Sequence, residues 1–272
     1  MNQFPVILLA ICLFLTATVL PAEGEINASQ EKKTSPIHAL ILTGNDGPFH
    51  DWRKTHLVLK EALERDPRFE VTVSEDIEIL AREDLSKYSV LIQNYVNWQS
   101  KGLSEKAKSN LSAYLKNGGG LAVIHFAGSA FHFSLPGAAE SDWPEYRKIV
   151  RRVWNHNGKG DAQSSHDGYG PITVRVTSIK HPITEGMTDF QSTDELYYNQ
   201  NGDEPIEPLL TAKSNNTGRD EPMAWAYNYG EGRVFQTVLG HDTNSLHSPG
   251  MMELIRRDSL WAANQPIISS TK

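Results

Sequence analysis

A few short stretches carry side chains able to move protons or hold a metal ion. "NGGGLAVIHFAG" (Asn117 to Gly128) ends an apolar run on His125, with Gly118 to Gly120 before it and Gly128 after it. Glycines let the backbone turn sharply and present that side chain, which is the strand-to-helix geometry of a nucleophile elbow. The motif G-x-S-x-G is absent, because position 125 is His and position 123 is Val. A histidine there serves as a base, as a ligand or as a buried core residue. "STDELYYN" (Ser192 to Asn199) supplies Asp194 and Glu195, which point to opposite sides of an extended chain, so one of them faces a site. "LGHDTNSLH" places His241 directly after the apolar run "VFQTVLG", with Asp242 beside it. A histidine so placed can be a base, a metal ligand or an orienter.

The dipeptide His-Asp recurs as His50-Asp51, His166-Asp167 and His241-Asp242. The repetition invites a metal reading, although no HExxH or His-x-His pair is present and the spacing is long-range. Trp52, Trp98, Trp143, Tyr197 and Tyr198 lie near these polar loops or at helix starts. Aromatic rings beside Asn, Asp and Glu suit the apolar faces and hydroxyl rims of sugars. Trp143 also fits a core stripe.

These residues need elements to hold them, and the chain supplies alternating ones. "HALILTG" reads as a buried strand, followed by the loop "GNDGPFHD" and a helix capped by Asp51 with Trp52, Thr55, Leu59 and Leu63 inward. "FEVTVSE", "YSVLIQN" and "GLAVIHF" are further strands, with a helix from Ser104 to Asn117 between the last two. Such alternation predicts βαβ units and a parallel sheet covered on both faces. Asp142 is expected to cap a helix carrying Trp143, Tyr146, Ile149, Val150 and Val153 inward, with Glu145 completing a capping box. Beyond the polar loop Asn155–Gly170 the texture turns to strands and tight turns. A hairpin turn is expected at Asn228–Gly232, with Gly230 and Gly232 at positive φ. Ser248-Pro249 opens a last helix with Met251, Leu254, Ile255 and Trp261 inward. In open parallel sheets the ligand crevice lies at the carboxyl ends of strands. Asn45 to Asp51, His125 to His132 and His241 to His247 all fall at such ends.

The 272 residues are 39% hydrophobic and 22% charged, enough for one domain, read over residues 37–264 with a tail at 265–272. A net charge of −7 and the lack of a Lys/Arg block argue against nucleic acid as a partner. "FPVILLAICLFLTATVL" (Phe4 to Leu20), with "PAEGE" behind it, reads as a signal peptide over residues 1–22, cut near Ala22, ahead of a polar linker at 23–36. Cleavage implies a secreted or periplasmic protein with no stable membrane insertion, the alternative being an N-terminal membrane anchor. The single cysteine, Cys12, leaves with that leader, which removes disulfides, thiol nucleophiles and thiolate metal sites.

"GGGLAVIH", the downstream "WPEY", "HPIT" (His181 to Thr184), "TDELYYN", "PMAWAYNYGEGRVFQTVLGH" and the closing "LWAAN" together resemble the ThuA-like, or trehalose-utilisation-like, family over about residues 38–264. The resemblance implies a flavodoxin-like, doubly wound α/β fold similar to class I glutamine amidotransferases, with a mostly parallel sheet and an antiparallel hairpin near the C-terminus. It implies that His125 occupies the elbow where those enzymes carry a cysteine, so thiolate hydrolysis of glutamine is excluded. It further implies a place in the catabolism of trehalose and related disaccharides, through 3-keto-sugar intermediates. By position, the family's polar residues are His125, Asp194, Glu195, Tyr197, Asn199 and His241, with His50 and His166 in more variable loops. The stretch "FHFSLPGAAESD" after the elbow is insert-like and is expected to alter the pocket relative to other members.

The resulting expectation is a carbohydrate-processing protein acting on a disaccharide, a glycoside or its 3-keto derivative by acid–base cleavage or isomerisation, with or without a metal. His125 or His241 would be the base and Glu195 the acid. Asn45, Asp46, His50, Trp52, Asp194, Tyr197, Asn199 and Asp242 would contact substrate. A divalent ion such as Zn²⁺ would sit on His125, His241 and Glu195, and no other cofactor is expected. The alternatives are a non-catalytic sugar-binding module and a metal-dependent hydrolase of another substrate class. Adjacent carboxylates cannot straddle one glycosidic bond, which disfavours ordinary two-carboxylate hydrolysis. The partner is a small-molecule carbohydrate, and the sequence sets no oligomeric state.

Overall fold

Apolar runs of β-branched and leucine residues build the first half of the chain into strands separated by amphipathic helices. A computed structural model describes Met1 and residues 35–134, 141–157 and 163–268. The expected leader and nearly all of the linker lie outside the described residues, as do parts of the insert-like stretch, of the Asn155–Gly170 loop and of the tail. In chain order the first elements are β1 (Ile37–Leu42), α1 (Trp52–Glu64), β2 (Phe69–Ser74), α2 (Ile79–Arg82), β3 (Val90–Gln93), α3 (Glu105–Lys116) and β4 (Gly120–Ile124). α4 (Pro144–Ile149), β5 (Ser165–His166), β6 (Gly170–Val176), β7 (Phe190–Asp194), β8 (Tyr197–Tyr198) and β9 (Pro208–Lys213) follow. β10 (Asp220–Tyr229), β11 (Gly232–Thr237), α5 (Thr243–Leu246) and α6 (Pro249–Ala262) complete the unit, which runs from Ser35.

Nine strands form one sheet in the order β2-β1-β3-β4-β11-β10-β9-β6-β7. From β2 to β11 every pairing is parallel. That half has the flavodoxin-like arrangement, and the chain switches direction between β1 and β3, where such folds open a crevice. Every residue of β3 and β4 is buried, as expected for a sheet covered on both faces. α1 packs on α6, which also lies against β4 and β11, while α3 pairs with α2. Beyond β11 the sheet continues through antiparallel neighbours to β7, a wider extension than the single hairpin expected.

Several local readings are refined. Gly230 has φ +60 in the β10–β11 turn, as the hairpin requires. Gly232 does not; it is needed because a Cβ there would lie 2.2 Å from the Leu115 carbonyl oxygen. Asp142 does not cap α4. The cap position is Trp143, with Pro144 in the first turn, and the Asp142 carboxylate instead accepts from Phe133 N–H and Arg147. Trp143, Tyr146, Ile149, Val150 and Val153 are all buried, so Trp143 is a core residue. Asp51 stands at the start of α1 without a side-chain capping bond and pairs with Lys54. Trp52 and Trp261 are only partly buried.

A polar cluster ties α1 to α6. Asp66 accepts from Arg68 at 2.6 and 2.8 Å and lies 3.4 Å from Arg256 of α6. These side chains are 11% exposed or less, so the charges are poorly screened. The Arg68 hydrogen bonds hold the Asp66 carboxyl below its usual range despite burial. A depressed folded-state value contributes stability above the unfolded carboxylate pKa, and that stability is lost as pH falls through the folded value. Asp66→Asn is therefore expected to cost about 3 kcal/mol at pH 7. Its loss should shrink progressively below pH 4, measured by urea unfolding across pH; an equal loss at pH 3 and pH 7 would contradict this.

Candidate functional site

Four strand ends converge on one cluster. His50 comes from the loop after β1, His125 from the residue after β4, His241 from the turn after β11, and Glu195 from the link between β7 and β8. One ligating atom from each of these residues lies within 4.8 Å of all the others. Sequence reasoning named His125, Glu195 and His241 for this role, and the fold adds His50.

His125 sits at φ +50, a left-handed backbone that a non-glycine residue adopts at a cost of about 1–3 kcal/mol. The strained turn follows β4 directly and aims the ring at the crevice, as an elbow does. Gly128 is required three residues later, where a Cβ would lie 2.4 Å from Gln236 Nε2. His125 Nδ1 donates to the Val238 carbonyl at 2.7 Å, which leaves Nε2 with its lone pair. The Tyr197 hydroxyl donates to that Nε2 at 2.8 Å. Burial first, and the neighbouring His50 second, hold the His125 pKa well below the usual histidine value. A neutral imidazole whose buried Nε2 keeps its lone pair is a poor base and a good ligand.

His50 is oriented in the same manner. Its Nδ1 lies 3.1 Å from the Asp46 carbonyl and 3.5 Å from the Asp46 carboxylate. Burial opposes the charged ring, but Asp46 outweighs it and raises the His50 pKa. His50 Nε2 and His125 Nε2 are 3.2 Å apart. Two nitrogen lone pairs at that distance repel, so the pair calls for a shared proton or a cation. His241 Nδ1 faces Glu195 Oε2 at 3.2 Å, and Glu195 Oε1 faces His166 Nδ1 at 3.6 Å. Burial raises the Glu195 pKa, yet the adjacent His241 and the other surrounding histidines lower it overall. Glu195 is thus held ionised, which suits a ligand or proton acceptor and does not suit the acid role expected from sequence.

Asp194, expected to contact substrate, does something else. It is fully buried and accepts from the N–H groups of Glu195 at 2.8 Å, Gly240 at 2.8 Å and His241 at 3.2 Å. Burial raises its pKa to about 7 against the pull of those three donors. One carboxylate therefore fastens the backbone under both Glu195 and His241. Of the two adjacent acids, Glu195 lines the cleft and Asp194 turns into the backbone beneath it.

The cleft beside the cluster has a volume of about 190 Å³ and is walled by Phe49, Trp98, Phe126, Trp154 and Tyr197, with His50, His156, His166 and Glu195 supplying polar edges. Of the residues expected at substrate, His50 and Tyr197 line it. Asp46 is buried and serves His50. Asn45 Nδ2 donates to the Asn97 carbonyl and to Ser100 Oγ, which shapes the loop after β3. Trp52 lies against Arg53 and His56, away from the cleft lining. Asn199 bonds Arg219 and Gln163, and Asp242 caps α5 and accepts from the Tyr169 hydroxyl. Phe49, Phe126, Trp154 and His156 were missed, because single aromatic residues in loops carry no spacing signal.

The fold and site define a flavodoxin-like α/β protein with the glutamine-amidotransferase-like architecture and histidine at the elbow. The profile of the ThuA family, described as trehalose utilisation, matches residues 38–262, and the chain belongs to that family. A ThuA-like protein from Parabacteroides merdae is 26% identical, with a TM-score of 0.74 covering 87% of this chain and 93% of that one. A ThuA-like protein from Bacteroides uniformis is 18% identical with a TM-score of 0.63, covering 90% and 95%. A cold-adapted β-galactosidase from Rahnella sp. R3 shares the fold at 15% identity and TM-score 0.54, over 84% of this chain but only 31% of the enzyme. No curated protein matches the sequence. Family membership gives the protein a carbohydrate-related role. Among the described residues, no helix is long and apolar enough to cross a membrane.

Asp194→Asn replaces one acceptor oxygen by an N–H₂ group facing backbone donors. It is expected to cost about 1–3 kcal/mol in urea unfolding. Glu195 and His241 should lose their register with it, so affinity for added Zn²⁺, read by calorimetry, should fall about 10- to 100-fold. Unchanged zinc affinity would remove Asp194 from the support of the site.

Proposed function

We propose that this protein is a metal-assisted carbohydrate-processing enzyme that acts on a keto-sugar glycoside. The observation that carries the reading is the meeting of His50, His125, His241 and Glu195 within 4.8 Å, in a cleft walled by aromatic rings. Three imidazoles and a carboxylate are a donor set for a first-row divalent ion such as Zn²⁺. The fit is supported by the lone pair that His125 Nε2 turns into the cluster, by the close approach of His50 Nε2, and by Asp46 and Val238 fixing the tautomers behind the two rings. When bound, such an ion polarises a carbonyl and its neighbouring hydroxyl.

The chain's own residues then divide the remaining work. Glu195 Oε1, on the side away from His241, takes the proton from the carbon next to the keto group. The electron pair moves onto the carbonyl oxygen and returns to expel the glycosidic oxygen from the following carbon. That oxygen leaves as an alcohol by taking the proton that Glu195 accepted, which returns Glu195 to a carboxylate, and the sugar is left as an enone. Tyr197 stays neutral, since burial holds its hydroxyl well above the usual tyrosine value, and it hydrogen-bonds at the reacting oxygens. Ordinary glycoside hydrolysis would need a second carboxylate across the bond, and among the described residues Glu195 is the one carboxylate in the cleft lining. We further propose that the apolar N-terminal segment directs export, so the reaction takes place outside the cytoplasm.

Purified protein supplied with Zn²⁺ should bind about one ion per chain by elemental analysis, and His125→Ala should bind it at least about tenfold more weakly. With metal present, a 3-keto-disaccharide should be cleaved and its unoxidised parent left intact, and deuterium placed on the carbon between the keto group and the glycosidic carbon should be lost from the enone product. Equal turnover of both sugars would defeat the keto-sugar reading. A wild-type chain that binds no divalent ion would defeat the metal.

A further inference from the structure

Trp98 stands out among the cleft walls because its backbone is strained. It sits at φ +47, a left-handed conformation unfavourable for a bulky residue. Such strain persists only where the surroundings over-determine it. Here they do. Asn97 Nδ2 donates to the Ser100 carbonyl at 3.1 Å, and Asn97 Oδ1 accepts from Phe131 N–H at 2.8 Å. Asn45 Nδ2 reaches across from the β1 loop to the Asn97 carbonyl at 3.1 Å. On the same loop, Gly47 is left-handed at φ +66, and a Cβ there would already touch the Trp98 ring at 3.5 Å. Two loops, after β1 and after β3, thus cooperate to present one indole at the topological switch of the sheet.

The ring contacts of Trp98 are with Phe49, Phe126 and His156, while the charged cluster lies on His50, His125, His241 and Glu195. The cleft therefore has an aromatic side and a polar side. A pyranose ring has the same division, with apolar C–H faces and a polar hydroxyl edge. At about 190 Å³ the cleft is smaller than the sites of drug-sized ligands, which begin near ~300 Å³. It has room for one sugar ring. Phe49, 61% exposed, forms the mouth, so a second ring would lie outside.

Resting on the carbohydrate reading above, we propose that Trp98 is the platform on which a single pyranose ring stacks, with its oxygen edge turned to the His50–Glu195 cluster. The site then recognises one ring and is indifferent to what is attached beyond it. Asn45 and Asn97 are positioning residues that act through Trp98.

The test uses calorimetry and intrinsic tryptophan fluorescence on metal-free protein, so that binding is read without turnover. The probes are methyl 3-keto-glucoside, 3-keto-trehalose and the acyclic polyol glucitol. Both ring compounds should bind with affinities within about threefold of each other, and glucitol at least tenfold more weakly, if stacking on a ring face dominates. Trp98→Gly suits the left-handed backbone and removes the ring; it should weaken both ring probes about tenfold or more while zinc affinity stays unchanged. Trp98→Phe should recover most of the loss. The proposal is overturned if Trp98→Gly binds the ring probes as wild type does, if glucitol binds equally well, or if the disaccharide binds more than about tenfold tighter than the methyl glycoside. Those outcomes leave the metal reading intact, whereas failure of wild type to bind zinc, with sugar binding preserved, removes that reading alone.

Discussion

The site depends on one buried carboxylate. Asp194, at the end of β7, accepts from the backbone of Glu195, Gly240 and His241, and so fastens the antiparallel half of the sheet to the carboxyl end of β11. Burying a carboxyl group is costly unless its lone pairs are met, and three peptide N–H groups meet them here. The same short segment also takes His125, through the Val238 carbonyl, and Asp242 begins α5 immediately after it. Residues 238–242 are therefore the hub. Gly240, at φ +113, provides the bend that lets one turn serve all of these partners.

The three His-Asp dipeptides show a shared division of labour. His50, His166 and His241 each face the cleft or its charged cluster. The aspartates that follow do not join them. Asp51 pairs with Lys54 at the start of α1, and Asp167 accepts from Ser214 Oγ and from the N–H groups of Asn215 and Asn216. Asp242 caps α5 through Ser245 N–H. In His166-Asp167 and His241-Asp242 a ring at the cleft is followed by a backbone anchor, whereas Asp51 pairs with a side chain. Successive side chains in extended backbone point apart, so a ring turned to the cleft leaves the following acid facing elsewhere.

The elbow at His125 retains the backbone geometry of an activated-nucleophile turn while carrying a residue with different capabilities. A thiol or hydroxyl there would attack a carbon. A buried imidazole whose basicity is depressed by its surroundings offers a lone pair to an acid, either a proton or a metal ion. The Nε2 atoms of His50 and His125, 3.2 Å apart, create an electrostatic demand that a positive species satisfies. That demand is a property of the meeting of two loops and is absent from either loop alone.

Much of the fold was legible in the residues themselves. The alternation of buried strands and amphipathic helices foretold the parallel half of the sheet, because hydrophobic periodicity reports local burial directly. Placing His125, His241 and the β1 loop at strand ends foretold the crevice, since loops at carboxyl ends converge in any open parallel sheet. The sequence by itself therefore determined the sheet, its crevice and three of the four residues of the charged cluster. Tertiary structure decided what each side chain does there. Asp194 became a clamp, Asp46 an orienter, Asn45 a brace for Trp98, and Trp52 and Asn199 fell outside the cleft. The reason is physical: periodicity tells which side of an element faces inward, but partners come from strands and loops distant in sequence. His125 meets the Val238 carbonyl 113 residues away, and Tyr197 meets His125 across 72. No local pattern encodes those pairings; they exist only once the sheet has closed.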